Sequence, residues 1–152
     1  DYCGGKKAKE RLEKLVLNKR VSLEQIAKGE HDRILALVYL KNQLINETLL
    51  KQGHAELFGA QTTAKQNLQQ ANKYARKNKL GIYGECISPK PPNKECTIKG
   101  NIDARDKTKI YHLPGCRSYN QTIVELFRGE KWFCNELQAQ EEGFRKANNC
   151  PK

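Results

Sequence analysis

Residues 87–95, Ile-Ser-Pro-Lys-Pro-Pro-Asn-Lys-Glu, carry three of the five prolines of the chain. Proline at that density stops helices and favours an extended spacer. The chain therefore reads as two modules, residues 1–86 and 96–152, joined by a linker over 87–95, and no internal repeat relates them. The apolar fraction, 38% of 152 residues, is also thin for a single large core.

Charge narrows the partners. Lys and Arg number 28 against 17 Asp and Glu, a net of +11. A surplus of that size favours polyanions such as nucleic acid, because each phosphate neutralised releases counterions. A merely soluble basic protein is the alternative. No apolar run reaches the roughly 18 residues of a membrane span, and no signal-peptide core opens the chain. A chain that starts at Asp1 and contains no Met is expected to lack an N-terminal part, by processing or otherwise.

Cysteine is the third constraint. Cys3, Cys86, Cys96, Cys116, Cys134 and Cys150 make an even set spread through a small chain, the usage of an oxidising compartment. No C-x-x-C pair is present, and such pairs are what structural zinc sites use to fix tetrahedral thiolates. Disulfides are favoured over zinc. Unpaired buried thiols are a weaker third reading, and four cysteines in the tail allow three pairings.

In the first module Ala8, Leu12, Leu15 and Val16 share one helical face. Val21 and Leu23 alternate with Ser22 and Glu24, a half-buried strand, and residues 33–40 are a nearly continuous apolar run of strand length. A short helix follows over residues 41–52, closed by Gly53. The last helix starts near Thr62 or Thr63, with Ala64, Leu68, Ala71 and Ala75 on one face and Lys73, Arg76, Lys77 and Lys79 toward its negative end. The predicted order is helix, strand, strand, helix, helix.

The second module predicts strands at CTIKGNI, KIYHL and EKWFC, then a helix over about 136–142 capped by Asn135 and ended by Gly143. Its expected core is Ile98, Ile102, Ile110, Tyr111, Trp132, Phe133 and Phe144. That is too little apolar material without a staple, which the four tail cysteines can supply.

Three segments carry a likeness: Arg33 entering a strand, Asn46-Glu47 opening a helix, and Leu80-Gly81-Ile82-Tyr83 after the last helix. In that order and spacing, residues 2–86 resemble the staphylococcal-nuclease-like thermonuclease family. The resemblance implies a five-stranded OB-type barrel with three helices and calcium-assisted hydrolysis of DNA and RNA phosphodiesters. The first three strands of that pattern have no counterpart here. The expected fold class is thus α+β: an incomplete OB-fold subdomain with three helices, plus a small disulfide-stapled α+β module.

The resemblance also implies where the chemistry lies. In the family the calcium ligands, a glutamate and one arginine precede the first helix, so calcium is implied while its ligands are absent from this chain. Only the second arginine carries over, to Arg33. A guanidinium stays charged and donates two parallel hydrogen bonds to a phosphoryl group. The alternative for Arg33 is a strand-entry charge paired with Asp32 or Glu30. The family's tyrosines beside the nucleotide are missing, and the loop before the last helix offers only Phe58. His31 is a candidate to stack on a base or touch phosphate, or a solvated turn histidine. In the family's fold the points occupied by Cys3 and Cys86 lie near each other, which implies a Cys3–Cys86 disulfide.

The tail segments CTIKGNI, KIYHLPGC, GEKWFC and GFRKANNC resemble the small modules appended to bacterial secreted thermonucleases. More distantly they resemble the zinc-binding module of bacterial alkylation-response proteins, whose thiols come in close pairs. A mixed site of His112 with Cys116 is the metal alternative; a strand residue holding its loop is the other reading of His112. Two sequons, Asn46-Glu-Thr48 and Asn120-Gln-Thr122, are read as unmodified.

Together these readings make the expected protein the C-terminal portion of a bacterial, secreted, thermonuclease-like phosphodiesterase, extracellular or in the cell envelope. It is expected to be inactive or weakly active alone, with nucleic acid and a complementing N-terminal segment as partners. A non-catalytic binder of nucleic acid or envelope polyanions is the alternative.

Overall fold

The computed structural model describes residues 2–29, 32–59 and 61–151. The fold is α+β and divides into two compact units, Cys3–Glu85 and Cys86–Lys152.

The first unit opens with helix α1 (Gly5–Val16). Strands β1 (Ser22–Lys28), β2 (Ile34–Leu40) and β3 (Gln43–Leu44) form an antiparallel sheet in that order. Helices α2 (Ile45–Lys51), α3 (Lys65–Lys77) and the single turn α4 (Ile82–Glu85) complete it. The predicted order of longer elements holds. The segment read as one helix from residue 41 begins instead with a turn and β3, because Leu44 and Gln43 pair with Tyr39 and Leu40. Leu23, expected to be half-buried, is 62% exposed.

The core of this unit gathers Leu37, Leu50, Leu68 and Ala71, with Leu44 and Leu57 packed against them. Burying each such aliphatic side chain contributes about 2 kcal/mol. Leu68, Ala71 and Ala75 are the buried face that the spacing of α3 predicts. Behind α2, Gly53 lies so close to the Leu80 carbonyl that an added Cβ would sit 2.1 Å from its oxygen. With φ at +72°, only glycine fits there without strain.

The second unit has a four-stranded sheet ordered β8-β5-β6-β9. Its strands are β5 (Ile98–Ile102), β6 (Lys109–His112), β8 (Lys131–Phe133) and β9 (Arg145–Lys146). β9 joins β6 in parallel, while the other pairs are antiparallel. A two-stranded ladder pairs β4 (Ile87–Ser88) with β7 (Val124–Glu125), so strand pairing reaches into the proline-rich stretch. Helix α5 (Glu136–Glu141) starts at Asn135, whose side chain accepts the Gln138 amide at 2.9 Å.

Ile98, Tyr111, Phe133, Ala139 and Phe144 form the core of this unit, and the two phenylalanine rings meet edge-on at 5.1 Å. Trp132 and Ile110, expected in that core, are only half-buried. Register explains it: Ile98 opposes Phe133 while Lys99 opposes Trp132, so alternation puts Trp132 on the other face. There its indole N–H donates to the Ser88 hydroxyl at 3.0 Å. Among the described residues no helix is long and apolar enough to cross a membrane.

No cysteine is free. Cys96 bonds Cys134 and Cys116 bonds Cys150, which leaves no thiolate in the tail for a metal. Cys3 and Cys86 are also disulfide-bonded.

Candidate nucleic-acid interface

The turn end of the β1–β2 hairpin positions Arg33. The Gly29 amide donates to the Arg33 carbonyl at 2.7 Å, closing the turn, and Asp32 takes a left-handed backbone at φ 55°. Arg33 is exposed just where β2 begins. It forms no salt bridge among the described residues, Asp32 included. His31 and Glu30 lie outside the described residues.

Register brings a second cation to the same end. Lys28 pairs directly with Ile34, the residue after Arg33, and is exposed. Nothing in the local sequence marks Lys28; only the pairing of the hairpin finds it. Both cations thus lie at this end of the hairpin, with the Asp32 carboxylate next to Arg33, and a cleft begins at Ile34.

That cleft, about 630 Å³, is lined by Ile34, Leu35, Leu37, Leu57 and Phe58 among others. Phe58 is 58% exposed, Ile34 61% and Leu35 50%, so the apolar face is open to solvent. An exposed aromatic ring near cations is the combination on which an unstacked base can rest. Arg33 is not among the residues lining the cleft; it adjoins it through Ile34.

The nearby carboxylate of Glu24 is already engaged. It accepts the Thr63 hydroxyl at 2.9 Å and the Tyr39 phenol at 3.4 Å. Burial first, then the Glu24 charge, push the Tyr39 phenol above its usual range. A hard cation such as calcium needs six to eight oxygen ligands. Among the described residues no three His, Cys, Asp or Glu side chains converge. The described donors do not fit the calcium that the resemblance implies.

Farther along the same unit, α3 holds its end of the fold through a polar cluster. The Tyr83 hydroxyl donates to Asn72 Oδ1 at 2.6 Å, and the Arg76 guanidinium stacks 4.4 Å from the Tyr83 ring while pairing with Glu56. Arg76 is thereby committed to structure.

No curated protein matches the chain. Residues 4–85 match the family described as staphylococcal nuclease homologue. The match takes in more than half of the sequence and spans the hairpin that carries Arg33 together with the helices behind it, and the chain belongs to the staphylococcal nuclease homologue family.

Proposed function

We propose that this chain is the phosphate-gripping, C-terminal portion of a secreted thermonuclease-like phosphodiesterase acting on DNA and RNA, and that alone it binds nucleic acid with little or no cleavage. The observation that carries the reading is Arg33: exposed, free of any salt bridge among the described residues, and within the family-matched stretch. In the complete enzyme its guanidinium donates to phosphoryl oxygens as charge develops there, a role worth about 3–4 kcal/mol of barrier. Lys28 adds attraction without direction, and Phe58 offers a base a surface to stack on. The fully oxidised cysteines support secretion.

A second reading, binding of nucleic acid or envelope polyanions with no hydrolysis in any context, is favoured by the lack of converging carboxylates among the described residues. A complementing N-terminal segment separates the two, since on the first reading it supplies the missing carboxylates and covers the open apolar face.

The test pairs binding with turnover. Fluorescence anisotropy of labelled single-stranded DNA should show salt-sensitive binding that weakens in Arg33→Ala. Cleavage with calcium should stay near background. Vigorous hydrolysis by this chain, abolished by chelation, would overturn the placement of the catalytic carboxylates elsewhere; binding indifferent to Arg33 would overturn its role.

A further inference from the structure

The second unit contains a polar arrangement that neither its core nor the nuclease reading uses. Lys99 and His112 are register partners on β5 and β6, so their side chains stand on one face of the sheet. Both are buried, at 9% and 8% exposure. The Lys99 ammonium donates to the Tyr119 and Thr122 carbonyls, each at 2.8 Å, and lies 4.3 Å from the Tyr119 ring. Among the described residues no carboxylate pairs with it. A buried cation held by neutral dipoles alone leaves a net positive field around it.

His112 sits in that field. Its Nδ1 is buried and has no hydrogen-bond partner among the described residues. The loop that follows is closed by the Cys116 amide donating to the Leu113 carbonyl at 3.0 Å. Burial, and then the Lys99 charge, hold the imidazole below its usual range, so it is neutral near pH 7. Native proteins leave few buried polar atoms unpaired, and each such atom asks for a missing partner.

The imidazole lines a groove of about 260 Å³ over β6, β9 and the residues after β9, whose other walls include Ile110, Arg145, Asn148 and Asn149. Arg145 is exposed and forms no ion pair among the described residues. Arg145 opposes Ile110 and so shares the face of His112, whereas Lys146 opposes Tyr111 and turns to the other face, 3.7 Å from Glu136. The Asn149 amide is spent on Ser118, whereas that of Asn148 has no partner among the described residues. Guanidinium, amide and imidazole groups around one concave space, with the unbalanced Lys99 charge behind them, match a tetrahedral oxyanion.

We infer that this groove binds a phosphate group, with Arg145 gripping its oxygens at the rim and the buried His112 imidazole supplying a donor from within. The site belongs to the second unit and does not depend on Arg33. Its phosphate comes either from solution or from the backbone of a nucleic acid.

The experiment follows the His112 ring by proton–nitrogen correlation NMR on the full chain. The three histidines are told apart with His112→Gln. Inorganic phosphate and a short oligothymidylate are titrated separately. Saturable movement of the His112 signals with phosphate supports a free-phosphate site; movement with the oligonucleotide alone supports a backbone phosphate. Arg145→Ala, on an exposed side chain, should weaken the response about tenfold with the remaining spectrum intact. Arg33→Ala should leave it unchanged, which separates failure here from failure of the nuclease reading. An unmoved His112 with both probes, or an undiminished response in Arg145→Ala, overturns the site.

Discussion

Asn46 and Val38 are joined across the open side of β2: the Val38 amide donates to Asn46 Oδ1 at 2.8 Å, and Asn46 Nδ2 donates on to the Ala36 carbonyl at 3.2 Å. One carboxamide thus satisfies two backbone groups that a neighbouring strand would otherwise take, and fixes the start of α2 against the sheet. The sequon at Asn46 is put to structural use.

Replacing that carboxamide should be costly. Asn46→Ala leaves the Val38 amide and the Ala36 carbonyl without their partner, a loss of about 1–3 kcal/mol. Asn46→Asp keeps the acceptor and loses the donor, so it should fall between. Urea unfolding followed by far-ultraviolet circular dichroism measures both.

Arg33→Ala should leave stability unchanged, since the side chain is exposed and forms no salt bridge among the described residues. Its effect should appear in binding. The slope of log affinity against log salt for single-stranded DNA should become shallower by about 0.7, the loss of one phosphate contact. Arg33→Lys should restore the slope but not the full affinity, because an ammonium cannot donate two parallel hydrogen bonds.

Glu130 links the stability of the second unit to pH. It is 2% exposed and accepts from the Asn101 amide at 2.7 Å, the Ile102 backbone at 3.0 Å and the Glu125 backbone at 2.7 Å. Burial raises its pKa, and the two backbone hydrogen bonds only partly oppose this. The folded value lies above the unfolded one, so the folded state binds the proton more tightly. Its contribution is fully present below the ordinary glutamate range and is lost as pH rises through the folded pKa. Glu130→Gln should flatten that dependence. Glu130→Ala, which strands three donors, should lower stability by roughly 3 kcal/mol or more at any pH.

Reduction should unfold the second unit before the first. Its disulfides span separations of 38 and 34 residues, each worth about 4 kcal/mol in the chain-entropy account. The apolar cluster they brace has five buried members. Trp132 is the only tryptophan and belongs to this unit, so its fluorescence reports there alone. Added reductant should bring the Trp132 transition to a markedly lower temperature than the helical circular dichroism signal, which α1 and α3 dominate.

Long periodic elements are legible in the residue pattern alone. The buried stripe of α3, the apolar run of β2 and the Asn135 cap each follow from side-chain spacing that a single segment contains. The two-residue strands β3, β4, β7 and β9 are not, because two residues carry no period; β3 forms only by folding back on β2, and β4, β7 and β9 only through partners far away in sequence. Trp132 falls outside the expected core for a related reason: its hydrophobicity is local information, whereas the face it occupies is set by pairing with Lys99.

By itself the amino-acid order determined the α+β class, the oxidised cysteines and the arginine at the start of β2, since each depends on residue type and near-neighbour spacing. The tertiary structure alone decided which tail cysteines pair, that Lys28 joins Arg33, and that His112 is buried beside Lys99 without a partner among the described residues. Those outcomes depend on register and on the closure of long loops, where free energy is summed over contacts between distant segments that no local window contains.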